Sequence, residues 1–239
     1  MGEHSQAGPG IDNGGSRLIL QAADAGLCFF TGGSTTWAVR HASLSVGKGQ
    51  MVMILGPSGS GKSSLLYLLS GLRSASEGEV RYGEQLLSGG NNHTVRRLRF
   101  ADFGFVYQQH FLIGYLTATE NVCVGRSRQC FGHARHLLCK LGLESKVNAY
   151  PTELSYGQRQ RVALARALVH SPRIVFADEP TASVDSKLSM SICQVLRDHC
   201  DQGGACVMVT HDEALRSDAD ALYLMCDGTL SMHAASAGE

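Results

Sequence analysis

Three runs of this chain are apolar almost without interruption: Met51–Leu55, the stretch from Arg173 to Ala177 after its first residue, and Ala205 to Thr210. Runs of that length suit parallel strands covered on both faces. Helical spacing takes over after the first two. Leu65, Leu66, Leu68, Leu69 and Leu72 follow the first run, and Val184, Leu188, Ile192, Val195 and His199 follow the second. Each set marks one inward helix face. Elsewhere the pattern predicts short strands between Arg17 and Val46, around a Thr31-Gly32-Gly33-Ser34 turn, and further strands at Glu79–Tyr82 and Phe103–Tyr107. From Gln108 to about His170 the pattern is helical. Leu222–Met225 and Thr229–Ser231 flank Asp227-Gly228, a hairpin signal. Residues 1–16, rich in Gly, Ser, Asn and Gln, read as a disordered tail, and 233–239 as a second. The order predicts one α/β domain, 17–232, in which a helical subdomain at about 108–170 interrupts the core.

The first apolar run leads into Gly56-Pro57-Ser58-Gly59-Ser60-Gly61-Lys62-Ser63, which fits G-x-x-x-x-G-K-[ST]. Strand, glycine loop and helix is the context in which that pattern binds phosphate. The glycines let backbone N–H groups curl around an anion, and the helix start adds its positive end. Lys62 then reaches the β- and γ-phosphates, and the Ser63 hydroxyl sits on Mg²⁺. The bland alternative is a glycine-rich turn before a core helix; Lys62, Ser63 and the flanking pattern speak against it. The second run ends in Asp178-Glu179-Pro180. A carboxylate at the end of a buried strand can hold Mg²⁺ beside the phosphate loop, which suits Asp178. Glu179 is then placed to orient or deprotonate a water. A third stretch, Leu154-Ser155-Tyr156-Gly157-Gln158, precedes a helix with Val162, Ala165, Leu168 and Val169 inward and Arg159, Arg161 and Arg166 outward. Ser155 at that helix start favours an anion, or is an ordinary cap.

Charge narrows the partners. The 21 basic and 21 acidic residues cancel, so nothing points to nucleic acid. The basic cluster Val95-Arg96-Arg97-Leu98-Arg99 reads as a solvated helix face. No apolar run has the length of a membrane span, and the N-terminus lacks a signal-peptide pattern, so a cytoplasmic chain is expected. The eight cysteines form no C-x-x-C pair and read as small buried hydrophobes. His133, His136 and Cys139 recur at helical spacing. A zinc site would need a further ligand or water that the sequence does not offer, so a partly exposed helix face is the simpler reading.

Taken in order, these segments resemble the ATPase subunit of an ATP-binding cassette (ABC) transporter, from about residue 17 to 232. Within that family the segment Gly71 to Val124 is most similar to the macrolide-exporter, lipoprotein-releasing and heterocyst-type exporter group. The resemblance implies an α/β fold: a P-loop NTPase (RecA-like) core, an N-terminal antiparallel β subdomain and the inserted α-helical subdomain. It makes Gly56 to Ser63 the Walker A loop, with Ser64 beside it, and Asp178 and Glu179 the Walker B pair. Phe30 becomes the aromatic that stacks on adenine, with Trp37 the competing ring but more suited to the core. Gln108 becomes the glutamine that senses the γ-phosphate, touches the metal and answers to the membrane partner. Ser155, Gly157 and Gln158 belong to the signature, Asp185 to the D-loop, and His211 is the switch histidine. Leu87-Ser88-Gly89-Gly90-Asn91 also resembles a signature but is wrongly placed and reads as a loop. Three departures stand out. Tyr156 replaces the first glycine of the usual LSGGQ, Phe30 replaces the commoner tyrosine but keeps the stacking face, and the stretch between Asn121 and Ala134, on the partner's side, is short.

The activity implied is hydrolysis of ATP with Mg²⁺. It would power a separate membrane permease, in export or extraction, from the inner face of the cell membrane, with a periplasmic adaptor reached through the permease. The ATPase would act as a homodimer. Regulation of a permease-like protein without transport, as in cell division, stays open. A soluble ABC ATPase of DNA repair or translation is disfavoured by neutral charge and by the lack of a coiled-coil or zinc insertion. A P-loop kinase would need no signature.

Overall fold

The computed structural model describes residues 18–87, 93–182 and 184–233. Two strands of fourteen residues open it, β1 (Leu18–Thr31) and β2 (Ser34–Gly47). They are far longer than the short strands expected from the pattern. Register shifts between Leu18 and Leu20 and between Ala22 and Cys28 explain the difference. Such irregularities break the period-two alternation while leaving the pairing continuous. β3 (Met51–Leu55) follows, then α1 (Lys62–Leu69), β4 (Glu77–Tyr82), β5 (Gln85–Leu86), α2 (His93–Asp102) and β6 (Phe103–Val106). Leu72 falls outside α1 and is 40% exposed. The helix has ended at Ser70, and Gly71 turns the chain with φ 63°. Three helices precede the next strand: α3 (Ala118–Val122), α4 (Phe131–Lys140) and α5 (Tyr156–Leu168). The chain closes with β7 (Ile174–Asp178), α6 (Ser186–Asp201), β8 (Cys206–Thr210), β9 (Ala221–Cys226) and β10 (Thr229–His233). β10 therefore reaches one residue into the expected C-terminal tail. Residues 1–16, Ser88–Asn91 and Ser183 lie outside the described residues.

The strands form one sheet in the order β5-β4-β1-β2-β10-β9-β3-β8-β7-β6. β9, β3, β8, β7 and β6 pair in parallel, whereas β5, β4, β1 and β2 are antiparallel. The apolar runs are apolar throughout because both faces of the parallel part are covered. Met51, Met53, Val175, Ala177, Cys206 and Met208 point to the core shared with α4, α5 and α6. Val52, Ile54, Ile174, Phe176, Val207 and Val209 point to the core shared with α1 and the antiparallel arm. Truncating Phe176, which is fully buried, to Ala would cost about 3–5 kcal/mol.

The cysteines depart from the expectation in part. Cys193, Cys200 and Cys206 are buried, and burial pushes the first two thiols up to about 12. Cys139 and Cys226 are exposed, and Cys123 and Cys130 form a disulfide across the short connection between α3 and α4. A separation of seven residues, one partner on each side of a turn, leaves no local sequence signature. His133, His136 and Cys139 all lie on the exposed face of α4, where His133 Nδ1 meets the Val169 carbonyl oxygen at 2.7 Å.

Candidate functional site

Parallel register brings the chemistry together. Leu55 pairs with Thr210, and Asp178 with Val209. The loop after β3, the acidic pair at the end of β7 and His211 after β8 therefore leave one edge of the sheet side by side. That is the carboxyl edge, where parallel α/β sheets bind ligands.

The loop Gly56–Gly61 is fitted to its surroundings. A β-carbon at Gly56 would run into the Met225 carbonyl oxygen, and one at Gly61 into the Ala38 carbonyl oxygen. Gly61 also has φ 103° and caps α1 without a side chain, leaving the N–H groups of the first turn facing outward. At Gly59, φ is 81° and no atom lies within 4 Å of the β-carbon position, so this side of the loop is open. Ser60 Oγ is buried without a hydrogen-bond partner among the described residues. The Lys62 ammonium, 5% exposed, donates to the Gly56 and Pro57 carbonyl oxygens at 2.7 and 3.0 Å.

Two short chains of contact leave this loop. In one, Lys62 Nζ lies 3.4 Å from Glu179 Oε1, and His211 Nδ1 lies 2.9 Å from Glu179 Oε2. The His211 backbone N–H donates to the same Oε2 at 3.3 Å. Glu179 itself is 8% exposed and sits at φ 47°, an uncommon conformation for a residue with a side chain. That backbone turn is how two consecutive carboxylates face the same loop. In the other chain, the Ser63 hydroxyl donates to Asp178 Oδ1 at 2.8 Å, and the Tyr67 hydroxyl lies 3.4 Å from Oδ2. Burial raises the Asp178 carboxyl above its ordinary range. Burial and then the Asp178 charge raise Tyr67, so the phenol keeps its proton to donate. A hydroxyl and a carboxylate oxygen converging at 2.8 Å beside the loop are the hard oxygen donors that a magnesium ion takes.

The remaining expected residues are spread over neighbouring elements. Gln108, two residues past β6, leaves the sheet next to the end of β7, and its side chain is exposed. Phe30 is 76% exposed near the tip of the β1–β2 hairpin, whose second strand passes the loop at Ala38. Trp37 is partly buried and packs on Gly26, where a β-carbon would come within 2.9 Å of its ring. Ser155 caps α5. Its Oγ accepts from the Gln158 N–H at 3.3 Å, and Gln158 Oε1 accepts from the Ser155 N–H at 2.8 Å. This reciprocal box fixes the helix start. Gly157 lies against Leu188, and Asp185 caps α6 by accepting from the Leu188 N–H at 2.9 Å. Tyr156 is in ordinary helical conformation, so its side chain adds no backbone strain. Its ring packs edge-on to His110 and its hydroxyl lies 3.5 Å from the Gln108 carbonyl oxygen. Among the described residues, no hydrogen bond joins Ser155, Gly157 or Gln158 to the glycine loop of the same chain.

Sequence reasoning missed the surface beside this site. A groove of about 590 Å³ runs between α1, α2, β6 and α5. Phe105 stacks on Tyr107, and Tyr107 meets the edge of Phe111, which is 63% exposed. The Arg126 guanidinium lies 4.0 Å over the Phe100 ring. Arg166 donates to the His110 and Phe111 carbonyl oxygens at 2.7 and 2.8 Å, which fixes the segment after Gln108 against α5. The sequence placed Arg166 outward. Its partners lie more than fifty residues away, where no local pattern could reveal them.

The family model described as ABC transporter matches residues 39–182. Among curated proteins, the lipoprotein-releasing system ATP-binding protein LolD of Acinetobacter baylyi is 39% identical over 223 residues, 89% of this chain and 97% of that protein. The macrolide export ATP-binding/permease protein MacB of Pasteurella multocida is 38% identical over 205 residues, 83% of this chain. The chain spans only about a third of MacB's length, 32%. Among solved structures, the dimeric ATP-binding cassette MJ0796 in a post-hydrolysis state, bound to ADP and phosphate, has a TM-score of 0.84 and 32% identity. That match covers 90% of this chain and 98% of the cassette.

Proposed function

Because the chain belongs to the ABC transporter family, we propose that the loop Gly56–Ser64, Asp178, Glu179 and His211 form its ATP-hydrolysing site, working on behalf of an export or extraction permease. ATP binding and hydrolysis go with family membership, as does the energising of a membrane permease. The observation that carries the assignment of residues is the contact chain Lys62–Glu179–His211 beside the Ser63–Asp178 pair.

Each residue's part follows from its position. The open side of the loop at Gly59, the first turn of α1 and Lys62 take the phosphates. Lys62 exchanges its present partners, two carbonyls and Glu179, for γ-phosphate oxygens. Glu179 then has a carboxylate oxygen free of the ammonium and a second one held by His211. It takes the proton from the attacking water. His211, 60% exposed in its side chain, turns its other ring nitrogen toward the γ-phosphate. Ser63 and Asp178, with Gln108 at the next strand end, hold Mg²⁺. When bound, the ion neutralises developing charge on the phosphate oxygens. Phe30 stacks on the adenine.

Ser155, Gly157 and Gln158 act on the ATP of a second copy. The Ser155 hydroxyl accepts from Gln158 yet keeps its own proton to donate to a phosphate oxygen. Two-fold symmetry then makes two composite sites with ATP between the subunits, and Asp185 lies beside each junction. MJ0796 was solved as a dimer, in keeping with this. The groove beside Gln108 receives a cytoplasmic segment of the permease, since exposed aromatics in a concave surface suit an interface. No helix among the described residues is long and apolar enough to cross a membrane. The chain sits on the inner face of the cell membrane through the permease, which also reaches any periplasmic adaptor. The domain bounds proposed are 17–232, with the helical subdomain at about 108–170.

Glu179→Gln tests the assignment. It should retain ATP binding and lose about 10²–10⁴ of turnover, because only the transition state needs the carboxylate. Steady-state ATPase and nucleotide retention in the permease-bound complex are the measurements. Unchanged turnover would sink the role of Glu179.

A further inference from the structure

Ser63 and Tyr67 stand four residues apart on α1, and therefore on one face of that helix. Both hydroxyls reach the same carboxylate. Ser63 Oγ is 2.8 Å from Asp178 Oδ1, and Tyr67 Oη is 3.4 Å from Asp178 Oδ2. The side chain of Asp178 is thus spanned from one oxygen to the other by a single turn of helix. Its neighbour Glu179 is occupied with Lys62 and His211. Asp178 is 4% exposed, so water cannot readily stand in for a missing partner. Magnesium would take Ser63 and Oδ1, which leaves Tyr67 as the group that fixes the outer oxygen and hence the plane of the carboxylate.

We infer that Tyr67 is a positioning residue for the magnesium site: its hydroxyl holds Asp178 Oδ2 so that Oδ1 faces the metal beside Ser63. The inference rests on the reading of Asp178 as a magnesium ligand. Partners behind metal-ligating carboxylates commonly set affinity, and losing one costs about 10–100-fold in metal binding. The Tyr67–Asp178 contact is long, which puts the expected loss at the lower end of that range. The ring of Tyr67 also lines the aromatic groove. Tyr67→Phe keeps the ring there and removes only the hydroxyl.

The test is binding, not turnover. A fluorescent ATP analogue is titrated onto the full chain in EDTA, and then with rising Mg²⁺, for the wild type, Tyr67→Phe and Asp178→Asn. Tyr67→Phe should leave the metal-free nucleotide affinity unchanged and raise the Mg²⁺ midpoint about tenfold, with at most a small fall in Tm from the unpartnered Oδ2. Asp178→Asn should raise it further. A Tyr67→Phe midpoint within about twofold of the wild type overturns the inference while Asp178→Asn still upholds the metal site. An equal loss of Tm and of metal-free affinity in Tyr67→Phe means a packing role and overturns it as well. If Asp178→Asn leaves the midpoint in place, the magnesium reading fails and takes this inference with it.

Discussion

The phosphate end of the parallel sheet and the aromatic groove beside it share β6 and α1 but are made in opposite ways. At the phosphate end, short contiguous segments carry the chemistry. Gly56–Ser63 alone provides the loop, the ammonium and one hydroxyl, and Asp178-Glu179 provides both carboxylates. Regular parallel register does the rest, because each segment needs only to follow its strand to arrive. The groove has no such segment. Tyr67, Phe100, Tyr107, Phe111, Arg126 and Arg166 come from six places in the chain. Guanidinium bonds to backbone carbonyls and ring contacts hold them in place. A site made of local segments keeps its geometry wherever the fold forms. A surface collected from distant residues can change its composition one residue at a time, which suits the part that recognises a particular partner.

The comparison breaks most decisively if the phosphate end proves complete within one chain. Lys62→Ala removes the loop's charge, and Ser155→Arg blocks the signature helix start with a bulky cation. Each variant alone should have essentially no ATPase activity. Mixed in one complex, they should regain one intact composite site and a substantial part of the activity. ATPase assays on mixtures in which heterodimers are demonstrated by differential tagging make the check. Full activity of Ser155→Arg by itself as a monomer would rule out the composite site.

A groove specialised for the partner should affect assembly and leave nucleotide binding alone. Phe111→Ala and Phe100→Ala each remove an exposed ring, 63% and 54% accessible. Each should weaken association with the permease about tenfold, as truncation of a buried aromatic anchor does. ATP affinity of the isolated chain should stay within twofold. Pull-down titration and nucleotide binding on the same preparations separate the two effects. Loss of ATP affinity in step with loss of assembly would show that groove and phosphate end are one unit.

How much was legible in the sequence follows the same line. The loop, the acidic pair and the strands under them were readable, because apolar runs and motif spacing are local. The antiparallel arm was readable only as short pieces, since its register shifts between Ala22 and Cys28 scramble the alternation. Tyr67 carries no mark in the sequence, set as it is among the leucines of α1. Its meaning comes from Asp178, 111 residues away. Tyr156 stood out as a departure from the usual signature. Its helical backbone shows that the phenol side chain fits there and leans on His110 instead. The Cys123–Cys130 pairing was hidden for the reason given by all such contacts: proximity created by a turn leaves no period in the sequence.

Phe30 sharpens the comparison from the other side, as a nucleotide contact on a surface as exposed as the groove. Phe30→Ala should weaken ATP binding about two- to tenfold, the contribution of one aromatic stack, and Phe30→Tyr should not. Equilibrium binding of a fluorescent ATP analogue is sufficient. An effect of Trp37→Ala alone would move the adenine to the other ring.

The smallest effect concerns His170, at the groove's inner end. Its Nε2 lies 3.0 Å from the Phe103 carbonyl oxygen, so Nε2 carries the proton and donates it. Nδ1 is buried and has no partner among the described residues. Protonating Nδ1 would bury a cation near Arg126, and burial pushes the imidazole down from 6.5 to about 4. Between those values the unfolded chain takes up a proton that the fold excludes. His170's contribution to stability is therefore complete above about pH 6.5, falls as the pH drops toward 4, and is flat below. The ring is partly exposed, so screening reduces the full linkage value to about 1 kcal/mol. Chemical denaturation of the wild type and of His170→Gln at pH 7.5, 6, 5 and 4 measures the difference. The Gln amide stands at the level of Nε2 and can still donate to the Phe103 carbonyl but cannot titrate, so the gap between the two proteins should narrow or reverse in favour of Gln as the pH falls. A gap independent of pH would mean that water reaches Nδ1 and that this end of the groove is as open as the phosphate end.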